Sequence, residues 1–305
     1  MGTPEFAVES LKEIVKRAND EVVAVYTQPD KLVGRKQVLK FSDVKLKAKE
    51  LGLYVLQPFV FDAAQVSFLQ NLKPDVVVVV AYGKILPKTI LKIPKFGCVN
   101  LHASLLPKYR GASPIQTSIV CGDSVSGVSA MFMTEKLDAG DVIDQVMVNI
   151  GENETAVQLS KKLAKQGASL LCKVLDDLSK GCVKRQVQDE SLATYAPILT
   201  KKSGKINFKK TSFQIHKLIC GLVPWPCAYC VLNGKMLKVY ESRVVVDNFV
   251  SLACGQILND KKRFIVGCAG GSLIEFLKVQ LEGKKIMRAV DFLNGLHFNE
   301  CLFLS

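Results

Sequence analysis

Two side chains suited to acyl transfer lie two residues apart in the segment 98–111, which reads CVNLHASLLPKYRG. They are Asn100 and His102, and an apolar run precedes them. In a β-strand, residues i and i+2 point to the same face, so the amide and the imidazole would project side by side. An amide can donate a hydrogen bond to a developing oxyanion, and an imidazole can transfer a proton. The pair therefore predicts acyl transfer to an amine.

A carboxylate that could complete this site follows at Asp138, in the sequence LDAGDVI. A carboxylate beside an imidazole orients the ring and makes it more basic. Taken singly, an Asn that caps a turn, a structural His and an ordinary Asp-Ala-Gly-Asp turn would each be the more common interpretation. Their occurrence together, in this order and with these neighbours, favours a catalytic site.

Apolar runs and helical periodicities alternate through the first part of the chain. Five consecutive valines at 76–80 predict a strand buried on both faces, and the run 22–27 predicts another. Residues 155–180 predict one long amphipathic helix. This βαβ pattern indicates an α/β, Rossmann-like domain with a parallel sheet. Asn100 and His102 would lie at the carboxyl end of a strand, where such sheets bind ligands.

Short alternating runs separated by Gly and Asn-Gly turns make up residues 200–305, and they predict a small, OB-like β-barrel. This region holds 16 Lys and Arg against 7 Asp and Glu, a net charge of +9 within the +13 of the whole chain. A basic barrel commonly binds nucleic acid, although charge alone fits a merely soluble basic surface equally well. We expect a catalytic domain over 1–181, a linker over 182–199 and the basic barrel over 200–305.

The ten cysteines are scattered, and the sequence shows no secretory signal, so we expect reduced cysteines in a cytoplasmic protein. Cys227 and Cys230 form a single Cys-x-x-Cys pair. No second pair has ligand spacing, so structural cysteines and no metal are the favoured interpretation. The longest apolar run, 76–83, is far shorter than the ~20 residues of a membrane-spanning helix.

The motifs VNLHASLLPKYRGASPIQ and LDAGDVI resemble those of the folate-dependent formyltransferases. The resemblance implies that Asn100, His102 and Asp138 are the catalytic trio, with 10-formyltetrahydrofolate as co-substrate and no metal. It also implies that folate is contacted by two segments. Their residues are Ser104, Leu105, Leu106 and Pro107 in the first motif, and Tyr82 and Gly83 in AYGKILP.

Later segments resemble the C-terminal domain of those family members that formylate methionyl-tRNA, namely YAPILTKKSGKINF, LVPWPCAYC and GKKIMRAVDFLNG. The resemblance therefore covers nearly the whole chain, and it implies a role in translation initiation with initiator methionyl-tRNA as partner. By position, Lys31, Arg35 and Lys36 in TQPDKLVGRKQ would meet the acceptor end of the tRNA. We expect a monomer.

Two alternatives remain open from the sequence. The chain could formylate a sugar nucleotide or another small amine, or it could be a catalytically silent RNA-binding homologue. One departure from the family bears on the fold. Members usually begin with a strand before Gly-Thr-Pro-Glu-Phe, whereas here Met1 directly precedes Gly2. We expect a start site assigned too late rather than a sheet without that strand, because its neighbours would have unpaired backbone groups.

Overall fold

The computed structural model describes residues 1–34, 37–247, 249–258, 260, 262–296 and 302–305. The chain divides into two compact units, each built from three stretches of sequence. The first unit comprises Met1–Gly111, Ser126–Val148 and Ser160–Ala196. The second unit comprises Ala112–Val125, Asn149–Leu159 and Pro197–Ser305. Residues 182–196, predicted as the start of a linker, thus belong to the first unit by their contacts.

Several helices begin after a residue whose side chain accepts from a backbone N–H group of the first turn. Ser42 accepts from Lys45 N at the start of one helix, and Asp62 accepts from Gln65 N at the start of the next. Within the described residues the α-helices are α1 (Phe6–Val15), α2 (Asp43–Glu50), α3 (Ala63–Asn71), α4 (Lys88–Leu91), α5 (Pro114–Val120), α6 (Ala156–Ser179), α7 (Ser212–Leu222) and α8 (Ala289–Asn294). Three short 3₁₀ helices span Glu190–Leu192, Lys201–Gly204 and Ala269–Gly271.

Most strands are short, and several are only two residues long. In chain order they are β1 (Val25–Tyr26), β2 (Lys31–Val33), β3 (Val38–Lys40), β4 (Val55–Leu56), β5 (Val77–Val79), β6 (Cys98–His102), β7 (Arg110–Gly111), β8 (Val125–Phe132), β9 (Val142–Asn149), β10 (Tyr195–Ala196), β11 (Ala228–Leu232), β12 (Lys235–Val245), β13 (Phe264–Gly267), β14 (Leu273–Leu281) and β15 (Met287–Arg288).

The main sheet of the first unit has the strand order β5-β6-β8-β9. Strands β5 and β6 run parallel, with Val79 opposite Asn100, whereas β6 and β8 run antiparallel, with His102 opposite Ser129. The predicted parallel sheet is therefore wrong in this respect, because the sheet is mixed. Apolar runs indicate that a strand is buried, but they carry no information about its direction.

Helix α6 confirms the helix predicted over 155–180, and it packs behind the strand that carries Asn100 and His102. Its closest approach is at Gly167, where an added Cβ would lie 2.7 Å from a Leu101 methyl carbon and 3.2 Å from a Val128 methyl carbon. Glycine is thus needed because the helix lies directly on the sheet. This packing holds β6 from the side opposite its functional residues.

A groove of about 620 Å³ lies between β1 and β5 in the first unit. Its walls include residues 22–26 and 73–78, and Met1 and Gly2 occupy one end of it. There Gly2 N donates to Tyr26 O, and Val80 N donates to Met1 O, both at 2.9 Å. Residues 1 and 2 therefore pair with the backbone on both sides of the groove.

The second unit contains an antiparallel sheet of order β11-β12-β14-β13, with β15 paired to β14. Helix α7, which the sequence analysis did not predict, starts at a capping box between Thr211 and Gln214. Its residues Ile215 and Ile219 join Phe276 and other buried residues in one apolar core. The pairings of the described strands do not include closure of this sheet, so the OB-like barrel stays a prediction.

Candidate active site

Strand β6 places Asn100 and His102 on one face, as the alternation of side chains along a strand requires. Val99, which precedes Asn100, and Leu101, which lies between the two residues, are buried, at 0% and 3% exposure. Asn100 itself is half-buried. Its side-chain amide has no hydrogen-bond partner among the residues that the structure describes. The amide is therefore available to bind another molecule.

His102 has a protein neighbour at each ring nitrogen. Nε2 lies 2.9 Å from the backbone oxygen of Tyr109, and Nδ1 lies 3.6 Å from Oδ2 of Asp138. A backbone carbonyl can only accept, so Nε2 carries the proton in the first contact. The second distance suits an ion pair with a protonated ring and is too long for a hydrogen bond. His102 and Asp138, far apart in sequence, thus meet in one site.

Asp138 is held from the opposite side by the turn that follows the Asn100–His102 motif. The backbone N–H of Gly111 donates to Asp138 Oδ2 at 2.8 Å. Gly111 has a φ of +117°, and an added Cβ there would lie 2.6 Å from Ala196 O. Only glycine fits this position without strain. The carboxylate therefore has a fixed backbone donor as well as the imidazole beside it.

The predicted folate segment after His102 is fixed mainly through its backbone. Ser104 Oγ donates to Lys108 O at 2.6 Å. Ser129 Oγ donates to Ser104 O at 2.6 Å and accepts from Leu106 N at 3.0 Å. The side chain of Leu106 is buried, whereas Leu105 and Pro107 are half-buried. Of these four residues, Leu105 and Pro107 offer the side-chain surface that a ligand could contact.

Tyr82 and Gly83, the other predicted folate residues, differ in exposure. Tyr82 is only 1% exposed, its ring lies 6.3 Å from that of Phe61, and burial raises the pKa of its hydroxyl to about 12. The Tyr82 carbonyl accepts from Thr3 Oγ1 and Gln28 Nε2. Gly83 is exposed and has a φ of +79°. Gly83 is accordingly the residue of this pair that a ligand could reach.

The predicted tRNA-binding residue Lys31 lies in a β-hairpin of the first unit rather than in a loop. Strands β2 and β3 pair Lys31 with Lys40 and Leu32 with Leu39. All four side chains are exposed, and Leu32 has an exposed fraction of 59%. Arg35 and Lys36, at the tip, lie outside the described residues.

The sequence analysis assigned no role to Arg110. Arg110 is 2% exposed and donates to Gln188 and Glu190. Nearby Glu190 raises the pKa of the Arg110 guanidinium. These partners lie far along the chain, in the segment predicted as a linker. No local pattern could therefore have indicated that this arginine is buried.

No cluster of three or more potential metal ligands occurs in the part of the chain that the structure describes. Cys227 and Cys230 are free, and their thiols face the backbone oxygens of Val239 and Leu237. Burial raises the pKa of these thiols to about 11 and about 12. Thiols of this kind are inert structural side chains. Within the same residues, no helix is long and apolar enough to cross a membrane.

An amide, an imidazole and a carboxylate gathered at one end of a mixed α/β sheet are typical of an enzyme that transfers an acyl group. Residues 1–175 match the family model for formyl transferases, and residues 198–297 match the model for the formyl transferase C-terminal domain. The chain belongs to the formyl transferase family.

The chain is also similar over nearly its whole length to curated members of this family. It is 43% identical to the methionyl-tRNA formyltransferase of Thermodesulfovibrio yellowstonii, over 98% of this chain and 96% of that protein. It is 44% identical to the methionyl-tRNA formyltransferase of Caldanaerobacter subterraneus subsp. tengcongensis, over 100% of this chain and 98% of that protein. The similarity therefore includes both units.

Among solved structures, the chain resembles an N-formyltransferase from Helicobacter canadensis in complex with folinic acid and dTDP-3-aminofucose. The TM-score is 0.70 at 23% identity, covering 90% of this chain and 96% of that chain. It also resembles HypX from Aquifex aeolicus in complex with tetrahydrofolic acid, with a TM-score of 0.60 at 14% identity, covering 83% and 47% of the two chains. At these identities the structures show a shared fold alone.

Proposed function

We propose that this protein transfers the formyl group of 10-formyltetrahydrofolate to the α-amino group of methionyl-initiator-tRNA. The observation that carries the proposal is the 43% and 44% identity to methionyl-tRNA formyltransferases over 98% to 100% of the chain. A match confined to the first unit would support formyl transfer to any amine. Because the match extends through the C-terminal domain, it also favours methionyl-tRNA, the acceptor of those relatives, as the acceptor of this protein.

In the proposed reaction the amine nitrogen bonds to the formyl carbon, and the bond from that carbon to the folate nitrogen breaks. The amine loses a proton, and the folate nitrogen gains one. Negative charge develops on the formyl oxygen while the bonds exchange. Asn100 would donate a hydrogen bond to that oxygen, and protonated His102 would add a second donor. Asp138 would favour the protonated ring and hold its orientation.

His102 must release one of its two contacts to act on a substrate. Its contact with the Tyr109 carbonyl joins Nε2 to a neutral group, whereas Nδ1 faces the carboxylate of Asp138. Nδ1 makes no hydrogen bond at 3.6 Å, so Nε2 is the nitrogen whose hydrogen bond a substrate oxygen can replace. We therefore expect the substrate to compete with Tyr109 O for Nε2, while Asp138 keeps hold of the other nitrogen.

The folate would lie against the segments that follow β5 and β6. The surfaces able to take part are Gly83, Leu105 and Pro107, together with the unpartnered amide of Asn100. The folate would supply the one-carbon unit, and the protein's own groups would orient it and stabilise charge. The tRNA would contact Lys31, Arg35 and Lys36, and the basic region 200–305, which we propose closes into an OB-like barrel. We further propose a monomeric, cytoplasmic enzyme in which a catalytic domain precedes a basic tRNA-binding domain.

Formyl transfer from 10-formyltetrahydrofolate to methionyl-initiator-tRNA, measured on the purified chain, tests this proposal. Elongator methionyl-tRNA and a dTDP-amino sugar serve as competing acceptors. We expect turnover with initiator tRNA to exceed turnover with either competitor. Preferential formylation of the amino sugar would overturn the proposed acceptor. Tight, salt-sensitive tRNA binding without any turnover would indicate a silent RNA-binding homologue.

A further inference from the structure

The loop that carries Asp138 has a backbone conformation that needs support from elsewhere. Asp138 has a φ of +49°, in the left-handed region that L-residues seldom adopt, although Asp and Asn adopt it more readily than other side chains. Two residues on, Gly140 is packed so closely that an added Cβ would lie 1.9 Å from Phe132 O. A strained loop persists only where surrounding groups hold it. The position of the carboxylate therefore depends on what binds this loop's backbone.

The side chain of Gln188 provides that support. Its Nε2 donates to Asp138 O at 2.9 Å and to Gly140 O at 2.7 Å. Gln188 is only 8% exposed, although it lies between exposed neighbours in the segment predicted as a linker. A buried amide whose two donors bind the carbonyls on either side of a loop fixes that loop at two points.

Arg110 in turn fixes the direction of the Gln188 amide. Its Nε and Nη2 donate to Gln188 Oε1 at 3.1 and 2.9 Å. Because an arginine can only donate, the oxygen of the amide must face Arg110 and the nitrogen must face the loop. All four hydrogen-bonding positions of the Gln188 amide are thus used. On its outer side, Arg110 donates to the two carboxylate oxygens of Glu190 at 2.9 and 3.0 Å.

The same segment also holds the loop on the other side of His102. Thr194 Oγ1 accepts from Tyr109 N at 2.9 Å, and Thr194 O accepts from Arg110 N at 2.8 Å. The Tyr109 carbonyl is the group that His102 Nε2 contacts. Residues 188–194 therefore fix the two loops that contact the ring nitrogens of His102, the Asp138 loop on one side and the Tyr109 loop on the other.

We propose that Gln188, oriented by Arg110, is a positioning residue for the Asp138–His102 pair. It touches neither substrate nor the reacting atoms. It acts by holding the Asp138 loop in the position that places the carboxylate beside the imidazole. This inference deepens the proposed function and rests on it for the catalytic role of the pair. The contacts themselves are independent of which amine accepts the formyl group.

The test compares Gln188→Met and Gln188→Glu with the matched control Gln186→Met. Methionine has nearly the shape of glutamine but cannot donate to the two carbonyls. Glutamate still accepts from Arg110, but it replaces the donor nitrogen with a carboxylate oxygen, which repels the two carbonyl oxygens instead of binding them. Gln186 lies two residues earlier with an exposed side chain. The readouts are kcat, KM for both substrates, Tm, and the ¹⁵N spectrum of the His102 imidazole in substrate-free protein.

We expect kcat to fall by up to about 10²-fold in both Gln188 variants, with KM little changed, because a misplaced catalytic group slows the reaction step itself. We also expect the His102 imidazole signals, identified by their loss in His102→Ala, to shift in both variants. Gln186→Met should behave as wild type in every readout. The ¹⁵N spectrum is informative because the partner of one ring nitrogen determines where the proton resides.

A lowered Tm with unchanged kcat and unchanged imidazole signals would show that Gln188 is merely structural and would overturn the proposal. So would a wild-type spectrum and wild-type turnover in Gln188→Glu, since its donors would then be dispensable. The imidazole spectrum needs no substrate. A wild-type protein that failed to formylate methionyl-tRNA would therefore overturn the proposed function and leave this test of positioning intact.

Discussion

At the scale of single residues, the site combines one side chain whose hydrogen-bonding capacity is fully used with another whose capacity is free. Gln188 uses all four positions of its amide, and Asp138 accepts from Gly111 N while facing His102. Asn100 has no partner among the described residues. A free amide donor among side chains held in fixed positions is the arrangement expected where an oxyanion must be stabilised as its charge develops.

The free amide of Asn100 leads to the first prediction. Asn100→Ala should lower kcat by ~10²–10³-fold, the usual cost of one oxyanion donor, because no other contact replaces it. The Tm should stay close to wild type, since the side chain makes no hydrogen bond within the described residues that the change could break. Steady-state formyl transfer and thermal melting check both parts. Near-normal turnover in this variant would contradict the assigned role.

The charge of Asp138 can be separated from its shape. Asp138→Asn keeps an oxygen that can accept from Gly111 N but removes the negative charge that faces His102 Nδ1. We expect kcat to fall by ~10²–10⁴-fold, the range that a proton-transferring group contributes, with an unchanged fold. Asp141→Asn, three residues later in the same turn, is the matched control. Equal losses in the two variants would argue against a specific role for Asp138.

At the scale of elements, helix α7 carries a buried histidine that should make the second unit sensitive to acid. His216 Nδ1 lies 3.0 Å from Ser242 Oγ, and Nε2 lies 2.9 Å from Asn153 Oδ1. The Asn oxygen accepts from Nε2, so the ring is neutral when Ser242 donates to Nδ1. Burial, with a smaller effect of Lys217, lowers the pKa of His216 below 6.5.

The sign of the pH dependence follows from this shift. Above pH ~6.5 the ring is neutral in both states and contributes nothing. Below that value the unfolded chain takes up the proton first, so stability falls by at most about 1.4 kcal/mol per pH unit until the folded pKa is reached. We expect Tm to drop between pH 7.5 and 5.5 by more in wild type than in His216→Gln. Parallel melting curves for the two proteins would contradict this prediction.

The groove between β1 and β5 gives a second prediction at this scale. An apolar, strand-forming segment of five residues fused before Met1 should enter the groove and pair with both strands, because the groove is lined by backbone and apolar side chains. We expect a higher Tm, with each 1 kcal/mol worth about 2–4 °C in a domain of this size. A fused Gly-Ser segment of equal length is the control. Equal Tm values for the two fusions would show that the groove does not accept a strand.

At the scale of the whole molecule, the distribution of charge predicts how the protein binds tRNA. Residues 200–305 hold +9 of the net charge of +13, and Lys31 is exposed on its hairpin. We expect the affinity for tRNA to fall steeply with salt, because bound cations are released from the phosphates. Lys31→Ala should reduce the magnitude of the slope of log K against log[salt] by about 1. Lys161→Ala, on helix α6, should leave the slope unchanged.

Local sequence patterns predicted the parts of the fold that depend on local forces. The 155–180 helix and the buried valine strand follow from periodicity and hydrophobicity. The patterns did not give the direction of β8 or the existence of α7. Strand direction depends on how the chain returns to the sheet, and α7 is stabilised by a tertiary core rather than by a strong local pattern.

The sequence by itself determined the family and the alternation that places Asn100 beside His102, and its resemblance to the family predicted Asp138 as the third member of the site. These depend on residue type and on spacing within one strand or one motif. Only the tertiary structure decided that Arg110 is buried, that Gln188 supports the Asp138 loop, and that the segment predicted as a linker belongs to the first unit. Such contacts join residues about 50 to 80 positions apart, and a hydrogen bond over that separation leaves no periodic trace in the sequence.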